Sequence, residues 1–446
     1  MGARHPIVEK RSLSGNRGPL AVICLAALLC LSPGQQSAQA QTAFQSAEAL
    51  VSGGNFSEAE SVLESTRFQG AEAIPAAYLL AVVYARTNRL DQAEKLLRDI
   101  LSRQPDIDAV RIELIKILAL QGKRQGAGYH LNRLTDTADL ARDQDQLRQL
   151  ARRIGTTEGF SLSGYFSLAP STNINDGTSQ STVMIGGLPF VISNTAREHS
   201  GIGLRAGAVA GYSHALSENR LAYASLSAGF SDYSNDRFDK QYAELRTGLR
   251  HDQLRYSLQV EAIADRHWQN GKLQSLGIGG RISGKWNISR GWWLSAEVIQ
   301  MYRSFDGQSA ADASTTRATA SVRHVFSRRL TLSAGGSFEK ESVSARPWNS
   351  YESASGTLGL EMPITHGVRV KATLTAGNRQ FKDPFPGLRL TRQDKFWEAR
   401  GTFSKDNFQI AGLSPVIGVF FKQQHSNIVF YDYESSGLDL TFTKAF

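Results

Sequence analysis

From about residue 158 to the C-terminus, apolar and polar residues alternate with a period of two. Leu254, Tyr256, Leu258, Val260 and Ala262 alternate with Arg255, Ser257, Gln259 and Glu261. Val368, Val370, Ala372, Leu374 and Ala376 alternate with Arg369, Lys371, Thr373 and Thr375. Ala222, Ala224, Leu226, Ala228 and Phe230 alternate with Tyr223, Ser225, Ser227 and Gly229. Each segment reads as a strand with one apolar and one polar face. A soluble sandwich gives the same alternation, so the decision rests on length, connections and ends.

The strands are long, about 11–15 residues, where soluble strands cluster near ~5–6. Connections alternate in length. The short ones include 287–291, 327–329 and 365–367, and the long polar ones 304–314, 343–350, 378–394 and 424–435. Short turns at one end and long loops at the other are the habit of outer-membrane barrels. The chain closes on a strand with Phe442 and a terminal Phe446, similar to the signal read by the barrel assembly machinery. Lys444, on the apolar face near the end, is tolerable as a snorkelling residue. The segments lie near 159–169, 200–213, 219–231, 240–251, 253–266, 272–287, 291–304, 314–326, 330–342, 350–362, 368–380, 392–404, 412–424 and 434–446. These fourteen segments predict a 14-stranded antiparallel transmembrane β-barrel over 158–446. An even number puts both barrel ends on one side, so the helical part stays in the periplasm. Trp268, Trp286, Trp292, Trp293, Trp348 and Trp397 fall near strand ends and fit interfacial girdles, with core packing as the alternative.

Residues 41–155 carry a different period. Apolar residues recur at three- and four-residue spacing, and a repeat of 34 lies on top. Ala47, Ala81 and Ile115 are in register, as are Leu50, Tyr84 and Leu118. So are Gly54, Asn88 and Gly122; Ala59, Ala93 and Ala127; and Leu63, Leu97 and Leu131. This is the tetratricopeptide pattern, with small residues where helices touch and Gly54, Asn88 and Gly122 at turns that want a positive φ. Pro105 falls where the middle repeat should end, and 136–153 would be a capping helix. The first helix of each repeat lines a groove, which places Phe44, Tyr78, Arg86, Ile112 and Lys116 there. Such a groove holds an extended client or docks a partner; a rigid spacer is the bland alternative.

The first 40 residues read as a secretory signal peptide. Arg4, Lys10, Arg11 and Arg17 lead, an apolar run covers 20–31, and Ala38-Gln39-Ala40 offers the cleavage site. The run is too short for a membrane anchor, and Leu29 before Cys30 is wrong for lipidation. Cleavage removes Cys24 and Cys30, the only two cysteines, so the mature chain holds neither a disulfide nor a thiolate site. The formal charge of +9 includes that basic leader. What is left is modest and unclustered, which does not support nucleic-acid binding. Past residue 40 no window approaches the ~20 apolar residues of a spanning helix.

Catalytic and metal-binding patterns are lacking: there is no H-E-x-x-H pair, G-x-S-x-G elbow or phosphate-binding glycine loop. The expectation is a non-enzyme without cofactor or metal. The longest connection, 170–199, holds Asn173, Asn175, Asp176 and, further on, Phe190. It is either a gate folded into the lumen or an idle loop whose Asn-Asp-Gly makes a turn. A porin for small solutes is the competing reading, with Arg317, Arg323, Arg369 and Lys371 giving anion preference. A structural adaptor linking the membrane to periplasmic partners is a third.

A leader, a short repeat stack and a fourteen-stranded barrel together resemble the surface lipoprotein assembly modifier family, the translocon of type XI secretion. The segment Gly164-Tyr-Phe-Ser-Leu-Ala-Pro-Ser-Thr-Asn-Ile-Asn-Asp176 looks like that family's entry into the first strand, and Gly437-Leu-Asp-Leu-Thr-Phe-Thr-Lys-Ala-Phe446 is similar to its close. The resemblance implies an outer-membrane protein that moves surface lipoproteins or secreted carrier proteins across the membrane; a monomer is expected. Its partners would be the exported client, outer-membrane lipid and the assembly machinery. With no ATP in the periplasm, movement must draw on client binding, folding outside or an upstream source. A lateral gate between the strands at 159–169 and 434–446 is one route; the lumen is the other.

Overall fold

The computed structural model describes residues 37–104, 107–137, 150, 159–185, 187–217, 219–253, 255–327, 330–364, 368–405, 408, 410 and 413–445. The expected leader as far as residue 36, Pro105, most of the expected capping helix and Phe446 lie outside them. The chain divides into two compact units after Thr87, inside the helical array.

The first unit holds α1 (Ser37–Ser52), α2 (Phe56–Ser65) and α3 (Ala73–Arg86). Ala47, Ala59, Leu63, Ala76, Leu79 and Val83 form its core, with Phe44 and Leu50 packed against it. The Tyr84 hydroxyl donates to Glu64 Oε1 at 2.6 Å.

The second unit begins with α4 (Leu90–Arg103), α5 (Asp108–Leu120) and α6 (Arg124–Thr137). Ala93, Leu97, Leu114, Ile115, Leu118 and Ala127 are fully enclosed. The period-34 columns are therefore the helix contacts. Gly54, Asn88 and Gly122 have φ of 83°, 62° and 72°. The left-handed residue lets the chain reverse and satisfy the last carbonyls of each first helix: Asn55 N donates to Leu50 O at 2.9 Å and Lys123 N to Leu118 O at 2.8 Å. Glu94 joins α4 to the next turn, accepting from Lys123 Nζ at 2.6 Å and Arg98 Nε at 2.7 Å. Burial works to raise its carboxyl, but the two cations outweigh that and hold it below the ordinary value.

The barrel follows. Its strands are β1 (Gly159–Ser171), β4 (Gly201–Ser217), β5 (Arg220–Tyr233), β6 (Lys240–Asp252), β7 (Tyr256–Gln269), β8 (Lys272–Ser289) and β9 (Trp292–Phe305). Then come β10 (Ala313–Ser327), β11 (Leu330–Val343), β12 (Tyr351–Pro363), β13 (Val368–Pro384), β14 (Thr391–Lys405), β15 (Ser414–Ser426) and β16 (Tyr433–Ala445). Each pairs antiparallel with its chain neighbours, and β1 pairs with β16 to close the cylinder. A small separate hairpin, β2 (Thr182–Ile185) with β3 (Leu188–Val191), lies in the first connection.

Apolar positions of the strands face outward and stay uncovered: Ile282 is 63 % exposed and Leu358 61 %. An apolar wall of this extent is at home in lipid rather than water. No helix among the described residues is long and apolar enough to cross a membrane.

Two expectations need correction. The long loops shrink to connections at 306–312, 344–350, 385–390 and 427–432, because polar residues continue in the ladder beyond the apolar band. One connection at that same end is a tight turn at Asn270-Gly271, with φ of 52° and 69°. The tryptophans also divide. Trp268, Trp286, Trp292 and Trp397 take outward positions, Trp348 sits in a loop turn, and Trp293 points inward at 6 % exposure.

Candidate functional site

The junction of first and last strands differs from its neighbours. β1 pairs with β4 without a break from Gly159 to Ser171. With β16 it pairs over Ser163–Leu168, lapses, and resumes only at Ser171 opposite Gly437. The lapse includes Pro170, which has no N–H to give a ladder. On the outer wall, Phe166 of β1 stacks on Phe442 of β16, ring centroids 5.3 Å apart and 11° from parallel. Inside, Thr441 Oγ1 and Ser167 Oγ lie 2.9 Å apart.

Residues 172–178 fold over this seam and make side-chain bonds where the ladder is weak. Thr172 N donates to Ser436 O, and Ser436 N to Thr172 Oγ1, both at 2.9 Å. Asn173 is buried and fully used. Its amide nitrogen donates to Gly177 O at 2.8 Å and Glu434 O at 3.0 Å. Its side-chain oxygen accepts from Gly177 N at 3.0 Å, and its carbonyl from Ser435 Oγ at 3.0 Å. Asn175 holds the returning strand of the loop, donating to Arg197 O at 2.6 Å and accepting from His199 N at 3.0 Å. Asp176, at φ 52°, pairs with Lys422 of β15 at 2.6 Å. Thr178 Oγ1 donates to Val429 O at 3.2 Å. A Cβ on Gly177 would lie 2.4 Å from the Arg197 backbone, so only glycine fits there. The structure thus brings Asn173, Asn175 and Asp176 together as one clasp. Phe190 is not part of it; it sits on β3 opposite Val183, half exposed.

The inner wall is lined by ion pairs. Arg205 of β4 and Arg400 of β14 both bind Asp439 of β16 at 3.1 Å. Arg281 bridges Glu261 at 2.7 Å and Glu297 at 2.6 Å. Arg317 pairs with Glu339, and Arg369 with Glu361 at 3.1 Å. Two of the cations expected to give anion preference are therefore neutralised. The Arg392 guanidinium grips buried Asp394 at 2.7 Å and lies 3.2 Å above the Tyr431 ring. Tyrosine rings occupy the space that a side chain on two glycines would need, Tyr165 at Gly207 and Tyr242 at Gly229.

The expected groove residues fall in both compact units. Phe44 packs on the core of the first, Tyr78 is half-buried, and Arg86 is exposed. In the second, Ile112 is half-buried and Lys116 pairs with Glu113 at 2.8 Å. Within that unit, Arg369 at the start of β13 lies 5.8 Å from the Tyr129 ring of α6. This places α6 at the barrel end where β1 begins.

The sequence reading missed Asp439, Arg205 and Lys422. Their signal was available in part, since each occupies an inward place in a period-two strand.

A closed fourteen-stranded cylinder with an apolar exterior, preceded by tetratricopeptide helices, defines an outer-membrane β-barrel protein with an appended repeat domain. The family model described as surface lipoprotein assembly modifier matches residues 160–446, and a tetratricopeptide repeat model matches 50–113. The chain belongs to the surface lipoprotein assembly modifier family. Surface lipoprotein assembly modifier 1 of Haemophilus influenzae is 20 % identical over 362 residues, covering 79 % of this chain and 73 % of that one. Among solved structures, Salmonella typhi OmpF in complex with daunomycin matches at TM-score 0.38 and 7 % identity, over 64 % of this chain and 97 % of its own. The CymD monoaromatic hydrocarbon channel matches at TM-score 0.37 and 11 % identity, over 68 % and 92 %. Family and fold point to a role in surface lipoprotein assembly at the outer membrane rather than catalysis.

Proposed function

We propose that this protein carries surface lipoprotein clients across the outer membrane, and that the β1–β16 junction opens to let them pass. The leader, residues 1–40, is removed on export. The repeats stand in the periplasm and hold the client, using Phe44, Tyr78 and Arg86 in the first unit and Ile112 and Lys116 in the second. Holding the client beside the barrel raises its local concentration by tethering. Client folding outside supplies the direction. The protein acts as a monomer, its outer wall in lipid, with Phe442 and Phe446 read during insertion by the barrel assembly machinery.

The observation that carries this reading is the seam: a ladder that lapses at Pro170 and is held instead by the 172–178 clasp. The β1–β16 ladder has six consecutive pairs where β1–β4 has thirteen, so parting it frees fewer backbone groups into lipid than parting a full-length ladder would. Neutralised lumen cations weigh against an anion porin. The test is surface shaving of lipoproteins in cells with and without the gene. Clients should be protease-accessible only when the full chain is present, and should stay shielded when residues 41–155 are deleted. Unchanged display in the null strain would refute the reading.

A further inference from the structure

On the outer wall, toward the end where β1 finishes, the strands β12 to β15 carry a depression. Their registers set the outward residues in rows. Leu358, Leu374 and Phe421 lie in one row, within the apolar band. The next row toward the end is Gly356, Ala376, Trp397 and Gln423, and the one after it Ala354, Asn378, Lys395 and His425. These two rows line a shallow cavity of about 660 Å³. Its floor is low because β12 and β13 place only glycine and alanine there. Trp397 of β14 stands on one side and Phe338 of β11, the register partner of Ala354, on the other; both are well exposed.

The polar atoms at the upper edge of this cavity are donors. Trp397 Nε1 donates to Gln423 Oε1 at 3.0 Å. An indole N–H can only donate, so the Gln423 oxygen faces it and the amide hydrogens on Nε2 are left to serve something else. Lys395, in the row above, pairs with no carboxylate among the described residues. No carboxylate is among the described residues that line the cavity. Those nearby are engaged: Glu352 lies 3.7 Å from Lys340, and Asp432 lies 3.3 Å from His425 and accepts from Ser426 N.

We infer that this cavity seats one phosphorylated acyl-saccharide lipid, with an acyl chain running down over Leu358 and Leu374 and a phosphate against Lys395 and the Gln423 amide. The occupant follows from the place and the charge. The wall around the cavity is immersed in lipid, so an acyl chain covers its floor. At the upper edge of the apolar band, an ammonium and an amide donor with no acid between them select a headgroup that is anionic and rich in acceptor oxygens; charge-assisted bonds of this kind are the strong ones. The choice of an acyl-saccharide over a glycerophospholipid rests on the placement of the repeats in the periplasm proposed above, which puts this end of the barrel in the outer leaflet. The cavity itself rests on the wall alone and does not depend on how clients cross.

The test uses the full chain in detergent, with the folded state of every variant checked by its heat-modifiable electrophoretic mobility. Lipid A or phosphatidylglycerol is added, the micelles are washed, and native mass spectrometry counts the lipid that stays. A single lipid A per barrel should survive the wash, and phosphatidylglycerol should not. Lys395→Gln should weaken retention about tenfold. Gly356→Leu fills the floor and should weaken it similarly; a Cβ there meets nothing nearer than 3.9 Å, so the wall itself is undisturbed. Ala228→Leu, on the outward face of β5, adds the same kind of bulk away from the cavity and should retain lipid as the wild type does. No retained lipid A, equal retention of phosphatidylglycerol, or retention unchanged in both cavity variants would overturn the inference. An epitope inserted at 344–350 checks the topology separately. Antibody should reach it on intact cells; access only after permeabilisation would overturn the periplasmic placement of the repeats and the leaflet with it, while the retention data still judge the cavity.

Discussion

Arg205 of β4 reaches past β1 to Asp439 of β16, Nη1 to Oδ1 at 3.1 Å, so one ion pair ties the two strands that flank β1. Arg400 grips the other oxygen of the same carboxylate at 3.1 Å. Both contacts are partly open to the lumen, so screening limits their worth. Asp439→Ala should lower stability to urea by about 1–2 kcal/mol. A double-mutant cycle with Arg205→Ala should return a coupling of about 0.5–1 kcal/mol. Additive losses would mean that the pair does not hold the seam.

The clasp should fail by a different route. Asn173→Ala removes the bonds that join Gly177 and Glu434 through one side chain. Gly177→Ala forces a Cβ into the Arg197 backbone. Either change should leave the barrel folded but speed protease cleavage within 178–197, and should raise the frequency of transient openings in planar bilayers above that of the wild type. A cleavage pattern identical to wild type would show that the clasp does not order the loop.

In the repeats, the turn at Asn88 carries a left-handed backbone, with φ 62°. Asn88→Ala should destabilise the helical part by about 1–2 kcal/mol, while Asn88→Gly should be neutral or mildly stabilising. Circular dichroism melts of the two variants make the comparison. Equal melts would indicate that the turn relaxes into another conformation.

Glu94 gives the same region a pH dependence. Burial raises its carboxyl, but Lys123 and Arg98 hold it below the ordinary 4.5. A group whose folded value is depressed contributes stability that is complete above its unfolded value and is lost as pH falls through the folded one. Helical stability should therefore be flat near neutrality and decline below about 4.5. Glu94→Gln should be less stable than wild type at pH 7 but should lose less on acidification. Parallel pH curves for the two proteins would assign the acid sensitivity elsewhere.

Much of this architecture was legible because it is periodic. The spacing of 34 fixes which alanines are enclosed, and all of Ala59, Ala93 and Ala127 are. The period of two finds every barrel strand, since each alternates lipid-facing with lumen-facing residues. Loop lengths were less legible, because polar residues that leave the apolar band stay in the ladder, as at the end of β13. The clasp was half visible. Asn173, Asn175 and Asp176 stand out as turn-formers, but their partners Glu434, Ser435 and Lys422 lie far along the chain and no local pattern links them. Trp292 and Trp293 are instructive. Neighbours in a strand cannot both face lipid, so one had to point inward. Alternation with Leu294 and Ala296 would have selected Trp293.

The central claim is that the first and last strands part while a client crosses. The two native cysteines, Cys24 and Cys30, are replaced by serine so that they do not interfere, and Ser167→Cys with Thr441→Cys, whose side chains already touch across the seam, can then lock it. The measurement is protease accessibility of a lipoprotein client on intact cells carrying this double variant, oxidised and then reduced. Display should stop when the disulfide forms and return when it is broken. Display that continues with the seam covalently closed would contradict the account.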